Sequence, residues 1–216
     1  MSAAGVIALP AADVAALPRP PAAAPTRRVL LANVALSQGA WFATIVGVAH
    51  GRAAWGVAAI AGVIGWHLLV SARPAAEARL VGFALLLGLA VESVALAQGH
   101  VAYPNGAWRA GWPPYWLIAL WGLFAVSLNV ALRWLRGRPA LAALVGAAVG
   151  PLSFLSGARL GAASFVDTGA ALFTVALGWS VALPLLLWLA ERCDGVGMPR
   201  AQAQTEAQVQ REAAHG

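Results

Sequence analysis

The sequence predicts an all-α fold, a polytopic membrane helix bundle of six transmembrane helices. Hydrophobic residues make up 61% of the chain and charged residues 10%, whereas a soluble domain has roughly 45–50% and about 25%. The mean hydropathy is +0.75. Such a chain has too little polar surface to cover a water-soluble globule, which excludes that class of protein. The apolar residues also fall into six runs, each long enough to cross the bilayer.

The two ends of the chain differ in composition from the apolar runs. Residues 1–28 are rich in Ala and Pro, and the prolines interrupt any continuous helix, so we expect a disordered tail. Residues 191–216 are polar, which predicts a cytoplasmic tail in solvent. The transmembrane domain is therefore expected to span 29–190.

A helix needs about 20 apolar residues to cross a hydrocarbon core of about 30 Å. Six segments meet this requirement, and they are 29–49, 53–71, 79–98, 115–134, 139–161 and 168–190. Only three residues separate the first two segments, which predicts a tight helical hairpin. The long connection 99–114 contains Trp108 and Trp112, and we expect it to lie along the membrane interface, where amphipathic rings prefer to be.

The distribution of Arg predicts the orientation. All 14 basic residues are Arg. Of these, only Arg52, Arg109 and Arg159 fall on the side opposite the termini, and by the positive-inside rule both termini are then cytoplasmic. We expect a bacterial inner-membrane protein. Because the Arg residues lie in loops and tails without interleaved aromatics, nucleic acid is not an expected partner.

Polar residues within the six segments form two layers. Asn33, His67 and Asn129 lie near the cytoplasmic side, whereas Glu92 and Ser153 fall in the outer half. Such groups usually face the bundle interior, either to fix helix packing or to form a site. The candidate ligand-binding residues are Asn33, Gln38, Trp41, Asn129 and Ser153.

Glu92 is the polar group in these segments whose burial in the membrane costs the most free energy. A carboxyl group at this depth must be paired, exposed to water or protonated. Arg159, near the outer end of the fifth segment, is its expected partner. The pair could be purely structural, or it could belong to a site, because a buried ion pair is weak evidence for stability. The candidate catalytic residues are Glu92, His67 and Arg159.

The fifth segment carries a strip of small residues, namely Gly146, Gly150, Ser153, Gly157 and Gly161. Their spacing of three and four places them on one helix face, which is typical of close helix contact. The strip could contact a neighbouring helix of the same chain or a protein partner.

The fifth segment also resembles part of a known protein family. The run Gly150-Pro151-Leu152-Ser153-Phe154, followed by Gly157-Ala158-Arg159-Leu160-Gly161-Ala162, resembles the bacterial integral-membrane family called domain of unknown function 2878. The likeness spans about 29–190 and places Glu92 where the family pattern has an acidic residue. Members of this family are often encoded near genes for fatty-acyl modification and oxidative-stress control. The resemblance therefore implies a role in membrane-lipid chemistry, without implying a catalytic residue.

Three classes of function follow from these observations. The first is an enzyme or enzyme partner in membrane-lipid, or fatty-acyl, modification, with membrane lipids as partners. The alternatives are a non-catalytic assembly or scaffold protein and a small-solute carrier or ligand-binding membrane subunit. The sequence has no paired-aspartate motif, histidine box or assignable triad, so we expect no metal or other cofactor.

Overall fold

The computed structural model describes residues 24–197. Residues 1–23 and 198–216, which make up most of the two expected tails, lie outside the described part. The described residues form one compact unit, Ala24–Gly197. This unit extends seven residues beyond the predicted end of the transmembrane domain.

Six α-helices form the unit: α1 (Arg27–Ala49), α2 (Ala53–Val70), α3 (Pro74–Ala97), α4 (Tyr115–Leu128), α5 (Pro139–Arg159) and α6 (Thr168–Arg192). The helical bundle predicted from the sequence is confirmed. The limits of α1, α2, α5 and α6 agree with the predicted segments to within two residues. Five helices are long and apolar enough to cross a membrane.

The third helix begins five residues earlier than predicted. Pro74 occupies the first turn of α3, where its missing N–H is not needed and its fixed φ suits a helix. Glu77 lies in the same turn and is buried. It fell in the expected connection between the second and third segments, but hydrogen bonds to its carboxylate allow it to lie inside the bundle.

The fourth helix is shorter than predicted, since it ends at Leu128 instead of continuing to residue 134. Its 14 residues span only about 21 Å. Asn129 caps the helix, and the chain continues through irregular turns to a 3-10 helix at Arg133–Leu135. The side chain of Asn129 bonds to Glu77 and Arg136 at the point where the regular helix stops.

The connections gather at two ends of the bundle. At one end, called here the Arg-rich end, the α2–α3 and α4–α5 connections meet residues 193–197. At the other end, called the loop end, strand β1 (Val101–Ala102) pairs antiparallel with β2 (Ser164–Phe165). Asn105 of the long connection donates from Nδ2 to the carbonyl oxygen of Val48 at 3.0 Å, which ties this connection to α1. Trp108 is 78% exposed, and its ring stacks on Tyr115.

Close packing of α5 on α6 depends on two glycines of the small-residue strip. A Cβ atom at Gly150 would lie 2.6 Å from the Trp179 ring, and one at Gly146 would overlap the Trp179 backbone. At Gly157 a Cβ atom would meet Ile45 of α1 at an ordinary 3.6 Å. The strip therefore contacts helices of the same chain. Both α5 and α6 are single helices in spite of Pro151 and Pro184.

Candidate functional site

A cavity of about 280 Å³ lies in the bundle between α1, α4 and α5. Four of the residues singled out from the sequence contribute to its wall: Gln38, Trp41, Glu92 and Ser153. Most of the remaining wall is apolar or aromatic, including Leu120, Phe124 and Phe154. The described structure thus brings half of the eight candidate residues together around one cavity.

The cavity reaches the lateral surface of the bundle. Val34 and Gln38, on the α1 wall, are exposed. On the opposite side, Glu92 is only 3% exposed. The cavity therefore leads from the membrane-facing surface of α1 to a carboxyl group in the bundle interior.

The Glu92 carboxyl group has one partner. The indole Nε1 of Trp121 donates to its Oε1 at 3.0 Å. Among residues 24–197, no hydrogen bond to its second oxygen, Oε2, is present. This oxygen can accept a hydrogen bond from a ligand.

Aromatic side chains fix the position of this carboxyl group. The rings of Trp121 and Trp179 stack with their centroids 4.8 Å apart, and Phe124 meets Trp179 edge-on at 5.0 Å. A Cβ atom at Gly88, one turn before Glu92, would overlap the Trp121 ring, so only glycine allows this approach of α3 to α4. Rigid aromatic packing therefore holds both members of the Trp121–Glu92 hydrogen bond.

Tyr103 lines a smaller space next to the cavity, on the side of the loop end. This space of about 40 Å³ continues from the cavity past Trp41 and Ser153 to the Tyr103 side chain. Burial raises the pKa of the Tyr103 phenol above its ordinary value, and the Glu92 charge acts in the same direction. The long connection therefore contributes Tyr103 to the wall of the smaller space beside the cavity.

One hydroxyl group in the cavity wall lacks a partner. Ser37 Oγ is buried without a hydrogen bond in the described structure. A buried polar atom without a partner costs about 1 to 3 kcal/mol. Together with Glu92 Oε2, it provides hydrogen-bonding capacity that the protein itself does not use.

The expected Glu92–Arg159 pair is not present. Glu92 bonds to Trp121, whereas Arg159 is exposed at the C-terminal end of α5. The ion pairs formed by residues 24–197 involve neither of these two side chains. The sequence placed both residues at a similar depth, but α5 presents Arg159 to the outside, where its charge remains solvated.

His67 belongs to a different group of residues, at the Arg-rich end. Its Nε2 lies 2.9 Å from Oε2 of Glu77, and both side chains are 1% exposed. Oε1 of Glu77 accepts from Asn129 Nδ2 at 2.7 Å and from the backbone N–H of Gly195 at 2.6 Å. Glu77 therefore joins α2, the end of α4 and the segment after α6.

Asp194 extends this polar group. Its carboxylate oxygen Oδ2 forms ion pairs with the guanidinium groups of Arg136, at 2.8 Å, and Arg133, at 3.0 Å. Arg136 also donates to Asn129 Oδ1, and Arg73 donates to the Asp194 carbonyl oxygen. Burial lowers the pKa of the Arg133 guanidinium from its ordinary value, an effect that Asp194 opposes. Residues 193–195 are consequently buried, although the sequence placed them in a solvated tail.

Asn33 lies near this group. Its Nδ2 donates to the Val126 carbonyl oxygen at 3.0 Å, one turn before Asn129. Asn33 and Asn129 therefore serve to join helices, and neither lines the cavity. Asn33, His67 and Asn129, which the sequence grouped in one layer, contribute interhelical contacts.

Sequence reasoning missed several residues of these two regions. Glu77 and Asp194 fell in an expected loop and tail, and Arg136 was counted among the Arg residues on the side of the termini. The signal for Glu77 was Pro74 three residues earlier, which marks a helix start. Trp121 and Trp179 gave no signal that would distinguish a carboxyl partner from an ordinary core aromatic.

The polar side chains do not form a metal site. Within the described range 24–197, no three His, Cys, Asp or Glu side chains come together in a group that could hold a metal ion. Cys193 is buried as a free thiol.

Comparison with known proteins identifies a family. No curated protein and no solved structure matches the chain. A family model described as "Protein of unknown function (DUF2878)" matches residues 30–185, from the first turn of α1 to the last third of α6. The match includes the whole cavity wall and most of the polar group at the Arg-rich end. The chain therefore belongs to the DUF2878 family of proteins of unknown function.

Proposed function

We propose that this protein binds the hydrocarbon chain of a membrane lipid in the cavity between α1, α4 and α5, and that it acts as an enzyme or enzyme partner in fatty-acyl modification. One observation carries the proposal. The cavity is mainly apolar, reaches the lateral surface beside α1, and leads to a carboxyl group with a free oxygen.

The size and chemistry of the cavity support a lipid chain as the ligand. An apolar cavity of about 150 Å³ holds a benzene molecule, and this one is about 280 Å³. A lipid chain can enter sideways from the bilayer without leaving hydrocarbon. A polar solute would lose its hydration in such a site with few groups to replace it, which argues against a small-solute carrier.

The geometry gives less support to a scaffold role. Gly146 and Gly150 of the small-residue strip are covered by Trp179 of the same chain. A protein partner could still use the strip at Gly157 and beyond, but no contact of these residues favours this over packing within the chain.

The proposed location is the bacterial inner membrane with both termini in the cytoplasm. This rests on the Arg distribution, and the Arg-rich end would then face the cytoplasm. The Glu92 carboxyl group would lie in the half of the bilayer remote from it.

A photo-crosslinking experiment tests the proposal. Cells expressing the protein are fed a fatty acid that carries a diazirine and an alkyne on its chain, and labelled lipid on the purified protein is measured after illumination. Ser153→Phe fills the cavity and should lower labelling at cavity peptides at least fivefold. Gly82→Phe adds the same ring at a position with open space and should leave labelling unchanged. Equal labelling of both variants would overturn the proposal.

Acyl modification is tested separately by comparing the lipid profiles of cells with the wild-type gene, the Gly82→Phe variant, the Ser153→Phe variant and no gene. An acyl species lost in the last two, and retained with Gly82→Phe, is the expected result. An unchanged acyl profile in all four strains would contradict the enzymatic part of the proposal.

A further inference from the structure

A second apolar space borders the same carboxyl group. It has a volume of about 380 Å³ and lies between α3 and α6. Val94, Leu177 and Val181 in its wall are each about 60% exposed, so this groove faces the surrounding hydrocarbon. It therefore opens at a different place on the bundle surface from the first cavity, which lies between α1, α4 and α5.

The groove and the cavity meet at three residues. Glu92, Phe154 and Trp179 are part of both walls. Trp179 stacks on Trp121, which donates to Glu92. Two hydrocarbon-accessible spaces thus meet at one buried carboxyl group.

The ionisable residues in the two walls limit which ligand head groups can bind. Neither wall includes Arg, Lys or His, and Glu92 is the one ionisable side chain in each. A carboxylate or phosphate placed beside Glu92 would find no countercharge in a medium of low dielectric constant, where like charges repel strongly. A hydroxyl group, in contrast, donates to the free Glu92 oxygen without bringing a charge.

From these observations, and resting on the proposed function, we propose that the α3–α6 groove is a second lipid-binding site. Two neutral, hydroxyl-bearing lipid chains, one in the groove and one in the cavity, meet with their polar ends at Glu92. The protein thereby selects uncharged lipids over fatty acids and brings two of them together.

The stoichiometry of binding tests the second site. The purified protein in detergent is titrated with oleyl alcohol, and bound molecules are counted by native mass spectrometry. The wild type and Gly82→Phe should bind two molecules. Gly178→Phe, which fills the groove, should bind one, and so should Ser153→Phe or, if that variant does not fold, Ser37→Leu.

The outcomes separate this inference from the proposed function. If Ser153→Phe binds one molecule fewer than the wild type and Gly178→Phe does not, the result supports the cavity site and overturns the second site. No specific binding to the wild type would overturn both.

The charge preference is tested with a matched pair of ligands. Oleate has the same chain as oleyl alcohol but a carboxylate head, and we expect it to bind the wild type at least tenfold more weakly at pH 8. Glu92→Gln keeps the shape and removes the acid, so it should reduce this ratio to less than threefold. A ratio that is equal in both proteins would show that Glu92 does not select the head group.

Discussion

Glu77 is the residue on which the Arg-rich end depends. It accepts hydrogen bonds from Asn129 and Gly195, and it contacts His67, all in a buried environment. Three segments distant in sequence meet at its two oxygens. Removal of one partner of such a group leaves the others unsatisfied, which costs more than the group contributes when complete.

We expect Glu77→Gln to lower the free energy of unfolding by about 2 to 3 kcal/mol, because the amide NH2 group replaces an acceptor oxygen and leaves a buried donor without a partner. Unfolding in mixed micelles, followed by circular dichroism, measures this. Glu191→Gln is the matched control, because the Glu191 carboxylate is exposed and accepts one bond from the Gly137 N–H at 3.2 Å. It should cost about 1 kcal/mol or less. Similar losses for the two variants would contradict the central role of Glu77.

Glu92 and Arg159 provide a second prediction at this scale. Since these side chains share no partner in the structure, the losses of stability from Glu92→Met and Arg159→Gln should add to within about 0.5 kcal/mol. Glu92→Met and Trp121→Phe remove the two ends of one hydrogen bond, so their effects should not add. A coupling energy above 1 kcal/mol for the Glu92–Arg159 cycle would mean that the two side chains do meet.

At the scale of elements, α5 and α6 pack closely because α5 has glycines, which carry no side chain, at the contact. Gly146 and Gly150 allow Trp179 to lie against α5, and Trp179 in turn forms the wall shared by the cavity and the groove. The small-residue strip thus shapes the candidate site as well as joining two helices.

Gly150→Ala and Gly82→Ala should therefore change stability in opposite directions. The new Cβ atom at position 150 lies 2.6 Å from the Trp179 ring, and such overpacking costs about 1 to 3 kcal/mol. At position 82 no atom is within 4 Å of the new Cβ, so the higher helix propensity of Ala should stabilise by up to about 1 kcal/mol. Thermal unfolding in detergent compares them. A loss at both positions would show that the α5 contact is not special.

At the scale of the whole molecule, the proposed orientation in the membrane can be tested by chemical labelling. Single cysteines at Ala72 and Ala110, in a Cys193→Ala background, report on the two ends. Both alanines are exposed and lie in connections between helices. Gly106 is less suitable, because its φ of +88° and its contact with Trp116 leave no room for a side chain.

If the termini are cytoplasmic, a membrane-impermeant maleimide added to cells with a permeabilised outer membrane should label Ala110→Cys and spare Ala72→Cys. Disruption of the inner membrane should then expose both positions to the reagent and serve as the control for reactivity. Labelling of Ala72→Cys alone in intact cells would invert the proposed topology.

The sequence by itself determined the helical membrane fold, the limits of four helices and the candidate carboxyl group, because hydrophobic length and the cost of buried charge are local properties. Only the tertiary structure decided which polar residues meet. Glu92 pairs with Trp121 instead of Arg159, and Glu77 and Asp194 are buried instead of solvated. Helix rotation determines these contacts, and in a chain whose surface and core are both apolar, hydrophobic periodicity does not fix rotation.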